Sequence, residues 1–162
     1  MPVVDLDFGA VGKVPEGWFR VVCDKATFKK NKSGDNYIIN MQNHLADMPE
    51  GNLPGSEVPY EAFENLNIFD NVSFKLSSRW KLQEVLSAFT GEDWEDDNMK
   101  LEVECEHCDE DGCSHDKIVP VLIDQTAVGL VYSEIYQGKP QARVRRYIPD
   151  NGFVEFGPDE TE

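Results

Sequence analysis

Residues 66–91 read LNIFDNVSFKLSSRWKLQEVLSAFTG, and a change of period inside this stretch decides the fold class. From Leu66 to Leu76 the residues alternate as along a half-buried strand, with Phe69 and Lys75 on the parity away from the core. After Ser77 and Ser78, two candidate caps, Leu82, Val85, Leu86 and Phe89 recur at i, i+3, i+4 and i+7, and Gly91 supplies a helix stop. One strand therefore runs almost directly into one amphipathic helix.

On the N-terminal side, Val14-Pro15-Glu16-Gly17 predicts a turn and Trp18 to Phe28 a strand. There Phe19, Val21 and Cys23 alternate with Trp18, Arg20 and Asp24. Lys29 to Asp35, with Ser33-Gly34, is a polar hairpin loop, and Tyr37, Ile39 and Met41 mark the returning strand. Residues 46–60 carry Pro49, Gly51, Pro54, Gly55 and Pro59 and predict a loop. Beyond the helix, Ile118 to Ile123 predicts a strand. Val128 to Tyr136, the turn Gln137-Gly138-Lys139-Pro140 and Gln141 to Ile148 then predict a closing hairpin. Three strands, a helix and further strands is the order of an OB-fold, a small partly open barrel; an immunoglobulin-like sandwich has no need of a helix there. The expectation is a mostly β, OB-fold-like domain over residues 1–149, with one α-helix after the third strand. It carries an acidic Cys/His insert at 92–118 and is followed by a flexible acidic tail at 150–162.

A length of 162 residues suits one domain of this kind. No stretch approaches the ~18 apolar residues of a membrane helix. Met1-Pro2-Val3-Val4-Asp5 lacks a basic region followed by an apolar run, so no secretory signal is expected. Four locally placed cysteines do not make a disulfide framework, which points to a reducing cytoplasm. The net charge of −16 argues at first against a nucleic-acid partner. Its distribution changes that argument. Residues 92–116 hold 12 acids and one lysine, and residues 150–162 hold five acids and no base. The remaining body has 14 acids and 14 bases, and the bases cluster at Lys25 to Lys32, Lys75 to Lys81 and Lys139 to Arg146.

The insert packs Cys105, His107, Cys108, Cys113 and His115 into eleven residues. A C-x2-C turn followed by Cys113 and His115 predicts a tetrahedral Cys3His zinc site from Cys105, Cys108, Cys113 and His115, with His107 as an alternative ligand. Four close ligands leave no open position, so this zinc is structural. Reduced surface cysteines in an acidic loop are the competing reading. Acidic neighbours raise thiol pKa and disfavour a redox C-x-x-C.

The last predicted strand alternates Arg143, Arg145 and Tyr147 with Ala142, Val144 and Ile148. Together with Trp18, Arg20, Lys29, Lys30, Lys32, Phe69, Lys75 and Lys139, these form a candidate groove of cations for phosphates and aromatic faces for bases, as single-stranded nucleic acid requires. Individually, Trp18 and Phe69 also fit a core, the lysine hairpin a solvated turn, and Trp80 packing at the helix start. Phosphate loops, G-x-S-x-G and H-E-x-x-H are absent, and no cysteine–histidine pair stands outside the metal candidate, so a non-enzymatic protein is expected.

Several stretches, in order, carry a family resemblance: Val14 to Val22, Lys29 to Asp35, Phe69 to Phe74, Ser78 to Leu82 with Leu86, Tyr136 to Lys139, and Arg143 to Pro149. They resemble the phage-encoded single-stranded DNA-binding family long catalogued as a domain of unknown function. The resemblance implies an OB-like fold and a role in phage DNA replication or recombination, within the cytoplasm of an infected bacterial host. It also implies that the acidic tail recruits replication or recombination proteins and competes with DNA. Residues 92–123 depart from the simpler family pattern. The alternative is an acidic adaptor or DNA-mimic protein that binds a DNA-processing enzyme, for which the −16 charge speaks.

Overall fold

The computed structural model describes residues 14–94, 100–105, 115–150 and 156–157. Its elements in chain order are β1 (Gly17–Lys30), β2 (Tyr37–Ala46), β3 (Asn67–Ser73), α1 (Arg79–Thr90), β4 (Lys117–Ile118), β5 (Thr126–Tyr136) and β6 (Lys139–Pro149). The strands form one six-stranded antiparallel sheet in the order β3-β2-β1-β5-β6, with β4 beside β1. No helix among the described residues is long and apolar enough to cross a membrane.

β1 organises this sheet. Its first half, Gly17 to Val22, pairs with β5, and Thr27 and Phe28 pair with β4. A bulge between Cys23 and Lys25 separates the two halves. Bulges bend a strand and increase its twist, which lets one long strand serve two neighbours in succession. The inward parity expected of β1, β2 and β3 is present. Phe19, Val21, Ile39, Met41, Leu45, Ile68 and Val72 are all fully or almost fully buried, together with Val85, Leu86 and Phe89 of α1. Gly91 ends the helix in the left-handed region, at φ 74°, with its N–H donating to the Ser87 carbonyl at 2.9 Å. Neither serine caps the other end through its side chain; a 3-10 turn over Leu76–Ser78 leads in instead.

Three expectations change. The strand expected over Ile118 to Ile123 is confined to Lys117–Ile118, because Pro120 has no N–H for a ladder and opens a 3-10 turn over Pro120–Leu122. The closing hairpin turns on two residues, Gln137 and Gly138, both at positive φ, so Lys139 and Pro140 already belong to β6. Most consequentially, β6 is bulged. Val131 faces Val144 but Leu130 faces Arg146, leaving Arg145 as the extra residue. The bulge resets the alternation, so Val144 and Tyr147 both face inward. Tyr147, expected on the basic outer face, is 2% exposed and packs on Phe89 at 5.5 Å.

The sheet is not closed into a barrel. β3 and β6 are its two edges, and no ladder joins them. Side chains bridge the opening instead. The Asp70 carboxylate on β3 accepts bonds from Lys81 on α1 at 2.8 Å and from the Tyr147 hydroxyl on β6 at 2.7 Å. Glu84 on α1 accepts a bond from Arg146 at 2.6 Å. Of the acidic insert, residues 95–99 and 106–114 lie outside the described residues.

Gly129 on β5 sits closely between Val21 of β1 and Val144 of β6. A Cβ there would lie 2.9 Å from Val144 Cγ1 and 3.0 Å from Val21 Cγ2. Gly129→Ala is therefore expected to destabilise the protein by about 1–3 kcal/mol through overpacking. Urea unfolding checks this: the midpoint should fall while the slope stays constant.

Candidate nucleic-acid interface

The cations and aromatics singled out in the sequence fall into three separate groups. The first surrounds the β1–β2 hairpin. Lys30 pairs with Tyr37, Lys29 with Ile38, and Ile38 with Ser73, two residues before Lys75. Lys32 sits in the connecting loop. Tyr37 is 43% exposed and lies flat on Phe28, with centroids 4.8 Å apart and planes at 10°. Phe74 holds Phe28 from the side, edge-on at 5.3 Å. The Tyr37 ring is thus a supported platform with one open face. Within the loop, Asn31 and Ser33 donate to the Asp35 carboxylate at 2.9 and 2.6 Å and hold its pKa below the usual range. The Lys75 charge adds to that lowering, although no lysine comes within ion-pair distance of Asp35 among the described residues. Among the described residues, Lys29, Lys30, Lys32 and Lys75 make no ion pair. Sequence reasoning missed Tyr37 as a site residue because it shares the parity of the core residues Ile39 and Met41. Its place at the strand end beside a lysine loop was the available signal.

The second group lies at the β3–β6 opening. Phe69 is 50% exposed on the outer face of β3. Arg143 donates through Nη1 to the Phe69 carbonyl at 2.9 Å, and its Nε lies 3.3 Å from the Glu134 carboxylate. Arg145, thrown outward by the bulge, stacks over Tyr132 at 4.7 Å. Lys139 is exposed at the start of β6. Trp80, expected to pack, is 58% exposed on α1 near Leu76.

The third group is already occupied. β2 ends at Ala46, opposite Arg20, which leaves the Trp18 backbone without a partner on that side. Gly157 takes its place: Trp18 N–H donates to the Gly157 carbonyl at 2.8 Å, and Gly157 N–H donates back at 2.9 Å. Arg20 donates to Asp150 through Nε at 2.7 Å and Nη2 at 3.3 Å, and bonds Asp47 through Nη1. Its guanidinium also lies 5.1 Å from the Phe156 ring centre. The bond to Asp150, and then that to Asp47, raise the Arg20 pKa further. Trp18 and Arg20, expected in an open groove, are instead engaged by the chain's own C-terminal segment. Asp150, Phe156 and Gly157, expected in a free tail, are docked; residues 151–155 and 158–162 lie outside the described residues.

Of the expected metal ligands, Cys105 and His115 are described and Cys108 and Cys113 are not, nor is His107. A two-way backbone bridge between Glu104 and Ile118, at 2.9 and 2.7 Å, brings the two ends of the insert together. Cys105 Sγ then lies 3.6 Å from His115 Nδ1. A sulfur at about 2.3 Å and a nitrogen at about 2.0–2.1 Å from one tetrahedral zinc stand about 3.6 Å apart, so this pair fits the ion. Among the described residues no group of three such side chains occurs. Cys23, by contrast, is core: burial, with the Asp24 charge adding to it, pushes its thiol up to about 12.

No family model matches the chain, and no curated protein matches it.

The C-terminal clasp generates a prediction of its own. Asp150→Asn combined with Phe156→Ala should release the segment from Arg20 while leaving the core intact. In amide hydrogen exchange, Trp18 and Gly157 should lose their protection while Val21 and Met41 keep theirs. Retained protection at Trp18 would show that the backbone pairing holds without the side chains.

Proposed function

We propose that this chain is a non-enzymatic, OB-like single-stranded DNA-binding protein that holds its strand by phosphate contacts and base stacking. The single observation that carries this reading is the Tyr37 platform, open on one face, at a hairpin whose Lys29, Lys30, Lys32 and neighbouring Lys75 make no ion pair among the described residues. Exposed aromatic faces beside free cations are what a sequence-tolerant single-strand site needs. The strand order, the helix after β3, and the approach of β3 to β6 across one open edge support an OB-like description. Arg143, Arg145 and Lys139 extend the cationic surface to the far hairpin. Action in phage DNA replication or recombination inside a bacterial host, with partner proteins recruited through the acidic C-terminal residues, rests on the family resemblance.

A structural zinc belongs to the same proposal. Cys105 and His115 would hold it with Cys108 and Cys113, and its chemistry is that of a cross-link closing the insert onto β4. The 3.6 Å sulfur–nitrogen separation is the observation in its favour.

Fluorescence anisotropy with a labelled oligo-dT of about 30 nucleotides across a salt series tests the binding reading. Affinity should fall with salt at a log–log slope of about −0.7 per phosphate contact. Replacing Lys29, Lys30, Lys32 and Lys75 by Ala should flatten that slope by about 3. Tyr37→Ala should weaken binding by about 1–3 kcal/mol with the slope unchanged. Absence of binding at low salt would move the function to the acidic adaptor or DNA mimic.

Zinc is tested by elemental analysis of protein purified without chelator, with one ion expected per chain. Thiol titration gives an independent readout. Native protein should react slowly, chelator should expose three thiols, and Cys23 should react only after unfolding. Three thiols reactive without chelator would refute the metal.

A further inference from the structure

The opening between β3 and β6 is more than a gap in the sheet. It holds a groove of about 260 Å³ whose lining residues include Leu66, Asn67, Phe69, Pro140, Gln141 and Arg143. Its size is just below the ~300–1,000 Å³ of small-molecule sites, which suits one flat ring system and not a base pair. Edges of sheets ordinarily attract another strand. Here that occupant is disfavoured. Pro140 has no N–H to offer a further ladder, and the Phe69 carbonyl is already taken by Arg143.

What remains for an occupant is a specific chemistry. The half-exposed Phe69 ring offers an aromatic face, Leu66 and Pro140 an apolar lining, and Asn67 and Gln141 two amides that each donate and accept. Arg143 adds a fixed positive charge, oriented by the Phe69 carbonyl and by Glu134. Its Nε lies 3.3 Å from Glu134 without a well-directed hydrogen bond. A flat heteroaromatic ring with polar edges, attached to a phosphate, matches each of these groups.

We propose that this groove seats one unstacked nucleobase on Phe69, with Arg143 beside its phosphate, and that, together with the Tyr37 platform, it lets the protein tell single strand from duplex. The inference rests on the single-strand reading above. The lysines around Tyr37 meet phosphates, which both forms of DNA present. A base inside a duplex has both faces stacked and its edge paired, so only a single strand can deliver one to Phe69 without unpairing.

The test uses the full chain, a single-stranded oligo-dT carrying 5-iodouracil, and a duplex of the same length. After irradiation, mass mapping should place a cross-link on Phe69 or its immediate neighbours on β3. Phe69→Ala should abolish that cross-link and weaken single-strand binding roughly tenfold. It should leave duplex binding unchanged, and Phe69→Trp should restore single-strand affinity. Phe69 is half exposed, so neither change removes a core contact. Cross-links found only elsewhere on a strand that still binds would overturn the groove and leave the function standing. Equal loss of single-strand and duplex affinity in Phe69→Ala would do the same. Failure of the wild-type chain to bind either DNA would overturn the functional reading itself.

Discussion

One carboxylate holds the open side of this protein together. Asp70 sits on the inward face of β3, its side chain only 12% exposed, and bonds Lys81 of the helix and Tyr147 of the last strand. Where a closed barrel would have a ladder of backbone bonds, this sheet has that three-element junction and its neighbour, Glu84 with Arg146. Burial first, and then the Asp70 charge, raise the Tyr147 pKa well above its ordinary value, so the phenol remains a hydrogen-bond donor. A part-buried carboxylate is tolerable only while its oxygens are matched by donors, which makes strand, helix and strand mutually dependent.

That junction governs the surface as well as the core. Tyr147 reaches Asp70 because the Arg145 bulge resets the alternation of β6. The same bulge turns Arg145 outward onto Tyr132. With α1 joined to both edges at Asp70 and Glu84, β3 and β6 run beside one another without pairing, and Phe69 and Arg143 line the groove that results. A sheet closed by backbone bonds along its whole length would leave no such groove.

Asp150 is drawn back to Arg20, and Phe156 and Gly157 complete the edge of β1 that β2 leaves uncovered. Cation, aromatic ring and backbone act together there, so Asp150, Phe156 and Gly157 acquire defined places. Among the described residues the lysines around Tyr37 make no ion pair. The chain therefore presents one cationic end that is free and another that is already satisfied, a distinction that net charge cannot express.

Local pattern carried a large share of this architecture. Alternation in Trp18 to Phe28, the i, i+3, i+4, i+7 stripe of α1 and the Gly91 stop are each set by residues within one or two turns or strand repeats, and these elements stand where their patterns place them. The cationic clusters and the two acidic segments were legible for the same reason. What local pattern could not carry was the parity of β6, the exposure of Tyr37 and Trp80, and the pairing of Arg20 with Asp150 across 130 residues. A bulge shifts every later side chain by one position, yet arises from the fit of one strand against another. Exposure at a strand end depends on where the core stops. An ion pair distant in sequence exists only once the sheet has brought its ends together. The residue types and their spacing were written in the chain, but which faces they occupy was decided by packing, because a side chain has an inside and an outside only after the rest of the fold surrounds it.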